Sequence, residues 1–398
     1  MSDHVIKRMP ITRDAVLDPP AELTELRARE PLAQLLYPDG HIGWLVTSYQ
    51  LARAVLQDSR FSSRPELRHS AVHLILGDGK PPEADVPGMF VGMDPPEHTK
   101  YRRLITGELS VRRMRQLEPM IEATARMLVD RMEESPRPAD LVSSFANPLP
   151  SIVICDLLGI AYSEWEKIQP VSARMLRTDS SAEEVLSCYR TIFEFLGDVV
   201  TQKEKKPEDD LVSGLIENGA LSHTEVSSIA FQLFTAGNET TSNMISLGIF
   251  TLLTYSEQLA AIRRDPALLE PAIEELLRYL TVIQFGISRA ALEDVELDGI
   301  TVRAGQTVTV SLPAVNRDPG RFPDPDVLDV TRSASAHLAF GFGVHQCVAQ
   351  QLARSELRTA FRVLLERMPE LTLAVPAAEV PMREGAIVYG VASLPISW

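Results

Sequence analysis

Cysteine is scarce in this chain: Cys155, Cys188 and Cys347 are all it has. Three thiols build no disulfide framework and leave one unpaired, which fits a reducing cytosol. Aromatic residues supply only 6% of the chain, and Leu, Val, Ile and Ala dominate, as in helical proteins. No Gly/Ser linker, low-complexity tract or fixed-period repeat divides the 398 residues. A single domain over 1–398 is therefore expected, although length alone would allow two or three. The opening MSDHVIKRMPITRDAVLDPP lacks the apolar run of a signal peptide. Positive charge is also in deficit. A formal charge of −15 favours solubility and argues against nucleic acid as a partner. The one apolar run of membrane-spanning length, 228–253, carries Asn238, Glu239, Thr240, Thr241, Ser242 and Asn243 at its centre. That polar middle is costly in a bilayer. A long helix buried in a soluble, cytoplasmic monomer is the expectation, with no membrane contact.

Helical periodicity fills most of the chain between 97 and 280. It predicts helices over 97–107, 111–134, 148–159, 163–174, 181–203, 208–217, 222–254, 256–264 and 267–280. Before them, 42–47 reads as a strand and 49–57 as a short helix. After them, VELDGITV at 295–302 reads as a hairpin turning on Asp298-Gly299. TVTVSL at 307–312 reads as a further strand, 316–336 as a proline-rich meander, and 370–397 as short strands. The Pro- and Gly-rich stretch 77–96 is long enough for a functional loop. The class is mainly α with a small β portion.

The most informative stretch is HLAFGFGVHQCVAQQLARSEL, residues 337–357. Gly341 and Gly343 permit turns and close approaches that a Cβ would block. Cys347 follows them near the start of a helical run, where free N–H groups and the helix dipole favour a thiolate. A lone thiolate beside such a turn can hold a haem iron. A lone free cysteine is also commonly just a small buried residue. On these residues alone both readings stand.

Phe340, Gly343, His345 and Cys347 form F-x-x-G-x-H-x-C, which resembles the haem-ligand loop of the cytochrome P450 superfamily. Two further stretches, AGNETT at 236–241 and EELLR at 274–278, resemble that family's motifs in the same order. WLVTSY and MDPPEHTKYRRL point to its soluble actinomycete type. The resemblance implies a mainly helical single-domain P450 fold with small sheets around a buried haem b (iron protoporphyrin IX). Cys347 would be the axial iron ligand. One departure stands out: Ala349 occupies a position usually held by Gly, so its methyl group is expected to crowd the ring or the next helix.

An acid beside an alcohol in an apolar helix can relay protons. Such a pair can equally be a polar surface patch, but here the flanks are apolar, and buried polar groups need partners. Gly237 and Thr240 together can weaken or bend the helix. In the resemblance, Glu239 and Thr240 take the acid and alcohol positions of oxygen activation. Glu275 and Arg278 lie three apart on one helix face. Most such pairs are exposed and weak; the resemblance makes them structural, completed by Arg332 and supporting the cysteine loop. His98, Arg102, Arg289 and His345 take the positions that meet the haem propionates. The substrate pocket would be lined by the 77–96 loop, the segment around 160–195 and Val91, Leu233, Ala236, Ile283, Phe285, Ile287, Ile387 and Val388.

The implied reaction puts one oxygen atom of O2 into a C–H bond of a hydrophobic small molecule, a secondary metabolite or drug-like compound. A ferredoxin and ferredoxin reductase would supply electrons. Lys100, Arg102, Arg103, Arg112, Arg113 and Arg115 against Glu108 form a local basic stretch suited to an acidic ferredoxin, though charge runs are usually only solvated faces. Two alternatives remain at this level: a peroxide-using, coupling or desaturating relative, and a non-enzymatic haem-thiolate protein.

Overall fold

Ser222 and Glu225 start the longest helix by a reciprocal cap, each side chain bonding the other's backbone N–H. In the computed structural model, which describes residues 8–72, 86–175, 177 and 180–398, this helix is unbroken over His223–Thr254. Its C-terminal half is buried on every side, and the other helices are arranged around it.

In chain order the elements are α1 (Ala21–Arg29), β1 (Leu32–Leu36), β2 (Ile42–Val46), α2 (Tyr49–Gln57), β3 (Phe61–Ser62), α3 (Glu97–Glu108) and α4 (Val111–Glu133). There follow β4 (Ala139–Asp140), α5 (Pro148–Leu158), α6 (Tyr162–Met175), α7 (Ala182–Lys205), α8 (Leu211–Glu217), α9 (His223–Thr254), α10 (Ser256–Arg264) and α11 (Leu269–Leu280). The last part holds β5 (Ile287–Ala291), β6 (Val295–Leu297), β7 (Ile300–Val302), β8 (Thr307–Val310), α12 (Leu312–Val315), α13 (Gln350–Arg367), β9 (Thr372–Leu373) and β10 (Pro395–Ser397). Helix α9 packs on α5, α7, α11 and α13, and α13 also lies along α4. Five strands in the order β1-β2-β8-β5-β3 form the main sheet, with β2 and β8 parallel and its other pairs antiparallel.

Most expected elements are present within a residue or two. Asp298 (φ 53°) and Gly299 (φ 75°) make the expected two-residue hairpin turn. The strand expected over 307–312 stops at Val310, because Pro313 enters the first turn of α12. The chain over 316–336 is free of helix and strand, as expected. Helix α1 and strand β1 were not anticipated; β1 closes a hairpin with β2. Of the 77–96 loop, residues 77–85 lie outside the described residues. Among the described residues, no single helix is long and apolar enough to cross a membrane.

Candidate haem site

The cysteine loop is built on close backbone approach. Gly343 has φ 74°, and a Cβ there would lie 2.4 Å from the Leu56 carbonyl oxygen at the end of α2. Only glycine fits both restraints. The Cys347 N–H donates to the Phe340 carbonyl at 2.8 Å, closing the loop across its own base. Asn316 pins the loop from behind, its Oδ1 accepting from the Leu338 N–H at 2.7 Å.

Cys347 lies two residues before Ala349, the N-cap of α13. The Ala349 N–H donates to the cysteine sulfur. Burial nevertheless pushes the thiol above its ordinary range, although that bond and the nearby Arg102 and Arg354 pull it down. Desolvation here outweighs the backbone donor, and metal binding is what deprotonates such a group. Ala349 itself has φ −93°, an ordinary value for an L-residue. Its methyl group packs partly buried on the main core.

Beside this loop four expected residues converge. His98 on α3 is buried, and both its ring nitrogens lack partners among the described residues. The His345 ring lies beside it, tilted, at 4.1 Å between ring centroids, its Nε2 also unpartnered among the described residues. Burial, then Arg289, His98, Arg102 and Arg68, push His345 down to about 3. Burial and Arg68 lower Arg289 to about 10, against a smaller opposite pull from Asp94. Among the described residues, Arg289 has one side-chain bond, to the Ser288 carbonyl, and Arg102 has no ion pair. Buried cations and imidazoles held together without a contacting carboxylate form a built anion site. Two propionate carboxylates suit it. Arg68 belongs to the same field and escaped sequence reading, because it follows a short turn (Pro65–Leu67) with no motif around it.

The support beneath the loop is fully assembled. Arg278 donates to both Glu275 oxygens, at 2.7 and 2.8 Å, and to the Asn316 and Pro325 carbonyls at 2.9 Å each. Arg332 donates to Glu275 at 3.1 Å and to the Pro323 carbonyl at 2.5 Å. A second set, Glu274 with Arg354 at 2.6 Å and His337 at 3.2 Å, was not anticipated. Burial would raise Glu274, but bonding to His337 and Arg354 prevails and holds it down to about 2.

On α9, Ala236 is exposed and Thr240, one turn on, is half-buried, although the helix beyond them is core. The Thr240 hydroxyl donates to the Ala236 carbonyl at 2.9 Å, and the helix continues past it without a break. Glu239 is buried and faces elsewhere: its Oε2 pairs with Arg383 at 2.7 Å. Of the expected pocket residues, Ile283, Phe285, Ile287 and Ile387 are partly exposed, and Val91 is exposed. Leu233 and Val388 are buried, Val388 bridging Ile283 as a β-pair.

The basic stretch is broken up by partners. Lys100 pairs with Glu225 at 2.7 Å and Arg113 with Asp209 at 3.3 Å. Arg103, Arg112 and Arg115 are exposed and make no ion pair among the described residues.

Residues 171–373 match the cytochrome P450 family model. Cytochrome P450 105C1 of a Streptomyces species is 47% identical over 387 residues, 97% of each chain. The chain belongs to the cytochrome P450 family. It is a monooxygenase whose cofactor is a haem iron. Pentalenic acid synthase of Streptomyces avermitilis is 41% identical over 393 residues, 98% of this chain and 96% of that one. Mycinamicin IV hydroxylase/epoxidase of Micromonospora griseorubida is 38% identical, covering 94% of each. The crystal structure of CYP105P1 in complex with filipin I superposes with a TM-score of 0.94 at 38% identity, over 99% of each chain.

Proposed function

We propose that this P450 works as one domain with haem b held by Cys347, and that it oxidises a hydrophobic secondary metabolite or drug-like compound. The observation that carries the reading is the set His98, Arg102, Arg289 and His345 beside the Cys347 loop, which makes no ion pair among the described residues. These residues would meet the two propionates, and no Cys-x-x-Cys-His sequence is present for covalent attachment, which favours haem b. When bound, the haem iron activates O2, and a thiolate ligand favours O–O cleavage. Glu275, Arg278 and Arg332 hold the loop that carries the sulfur. Thr240 stands on the exposed strip of α9, where its hydroxyl can pass a proton and take one back. Glu239 is the acid that recharges it. Ala236, Ile283, Phe285, Ile287 and Ile387, with Val91 at the entrance, give an apolar wall that excludes water and orients one C–H bond.

Electrons come from a ferredoxin and its reductase in the cytoplasm. The relatives' names, pentalenic acid synthase and mycinamicin IV hydroxylase/epoxidase, support a metabolite-tailoring role. The test is turnover of candidate apolar metabolites with ferredoxin, reductase, NADPH and isotopically labelled O2. One labelled oxygen atom in the product is expected. Turnover with hydrogen peroxide alone, or an oxidised product without label, supports the peroxide-using or desaturating alternative. Reduction without any product contradicts the assignment of those metabolites as substrates.

A further inference from the structure

Glu239 and Thr240 are neighbours on α9, so their side chains leave the helix about 100° apart, given 3.6 residues per turn. The Thr240 hydroxyl lies on the strip shared with exposed Ala236. The Glu239 carboxylate lies against the turn between Met382 and Val391, a β-bridged pair. That turn is seated on α9. The Arg383 N–H donates to the Gly390 carbonyl at 2.9 Å, and a Cβ at Gly390 would fall 1.9 Å from Asn243 Oδ1. Asn243 in turn donates to the Glu239 carbonyl at 2.7 Å and to its carboxylate at 3.2 Å. Arg383 donates to Glu239 at 2.7 Å and approaches Asn243 Oδ1 at 3.4 Å. Between these anchors the same turn carries Ile387 and Val388 to the segment before β5, through the Val388–Ile283 bridge and a Gln284 N–H bond to the Ile387 carbonyl at 3.2 Å.

We propose that Arg383 is a positioning residue that parks Glu239 away from Thr240 and ties its release to the substrate-facing turn. The proposal rests on the reading of Glu239 as the proton-supplying acid. A ligand that presses on Ile387 shifts a turn held on α9 by the close Gly390–Asn243 approach and by the Arg383 bonds to Glu239 and Asn243. Breaking a largely buried pair is costly, so the acid stays docked until the ligand contributes that energy. Without substrate, Glu239 is withheld and protons do not reach Thr240. Premature release has a defined product: O2 takes two electrons, from NADPH through reductase and ferredoxin, and two protons, and leaves as hydrogen peroxide.

The experiment compares haem-loaded wild type, Arg383→Gln, Arg383→Lys, Glu239→Gln and the Glu239→Gln/Arg383→Gln double variant with ferredoxin, reductase and NADPH, first in the absence of substrate for peroxide leak and then with an apolar metabolite that the wild type oxidises for turnover. Arg383→Gln should raise substrate-free peroxide formation about fivefold or more, the low end of an ordinary coupling between sites. Arg383→Lys should stay near wild type, and the double variant should return to it. A rise that persists in the double variant means general loosening and overturns the proposal. Unchanged leak in Arg383→Gln, with turnover lowered in Glu239→Gln, overturns it while leaving Glu239 as the acid. Unchanged turnover in Glu239→Gln removes the acid and the proposal together. Hydrogen exchange gives a readout free of turnover. Binding of 4-phenylimidazole to wild type should speed exchange over 382–391, and Arg383→Gln should already exchange fast without it. No change in the wild-type turn overturns the proposal whether or not the variants fold.

Discussion

Thr240 and Ala349 show how much depends on single side chains. The Thr240 hydroxyl bonds only to the Ala236 carbonyl among the described residues and lies on the exposed strip, so its loss disturbs no packing. Thr240→Ala should therefore keep haem content and ligand binding, while product per NADPH falls and peroxide rises. Full coupling in that variant would remove the alcohol from proton delivery. Ala349 makes the opposite case. Its backbone is ordinary, and Gly is at least as good as Ala at an N-cap. Ala349→Gly should change stability by less than ~1 kcal/mol and leave haem loading intact, as read by thermal unfolding of the loaded protein. The sequence marked Ala349 as a departure from pattern. It carried no information on the backbone angle, which is ordinary for an L-residue.

Elements explain why the loop stays in register. Glu275 and Arg278 are wholly buried, and Arg278 reaches two carbonyls of the meander. Arg278→Ala leaves the buried Glu275 charge only Arg332 and the Asp329 N–H as partners and should cost about 3 kcal/mol, the low end for a broken buried pair, seen as a lower unfolding midpoint and lost haem retention. A midpoint equal to wild type would contradict this account of the support. Glu274 adds a pH dependence. Its folded value of about 2 lies below the ordinary 4.5, so its contribution is present above pH 4.5 and fades as pH falls toward 2. Glu274→Gln should flatten the acid limb of stability between those values in chemical unfolding. Long helices such as α4, α7 and α9 were legible because their apolar positions repeat at helical spacing. Helix α1 is short and weakly patterned, and β1 owes its pairing to β2. The Glu275–Arg278–Arg332 set was reached by resemblance, because an E-x-x-R spacing alone is commonplace. Glu274 with His337 and Arg354 had no such guide.

At the scale of the molecule, distance along the chain sets the limit of sequence reading. Glu239 was picked out as a buried acid, but Arg383 stands 144 residues away, with nothing local to mark it. Arg68 joins the anion site for the same reason, through folding alone. Surface charge shows a related limit. The basic stretch read as one patch, yet Lys100 and Arg113 are engaged by Glu225 and Asp209, leaving Arg103, Arg112 and Arg115 exposed. Arg115→Glu should slow reduction by an acidic ferredoxin, with the difference shrinking as salt rises, whereas Arg113→Glu should matter less. Equal, salt-independent rates in wild type and Arg115→Glu would place docking elsewhere. The proposed proton-delivery and electron-transfer roles would depend on iron bound at Cys347. The most direct measurement is the absorption spectrum of the reduced, carbon-monoxide-bound protein, with and without Cys347→His. Wild type should give the red-shifted Soret band of thiolate-ligated haem, and the variant should lose that band while still binding haem. Retention of the thiolate band in Cys347→His would contradict the account.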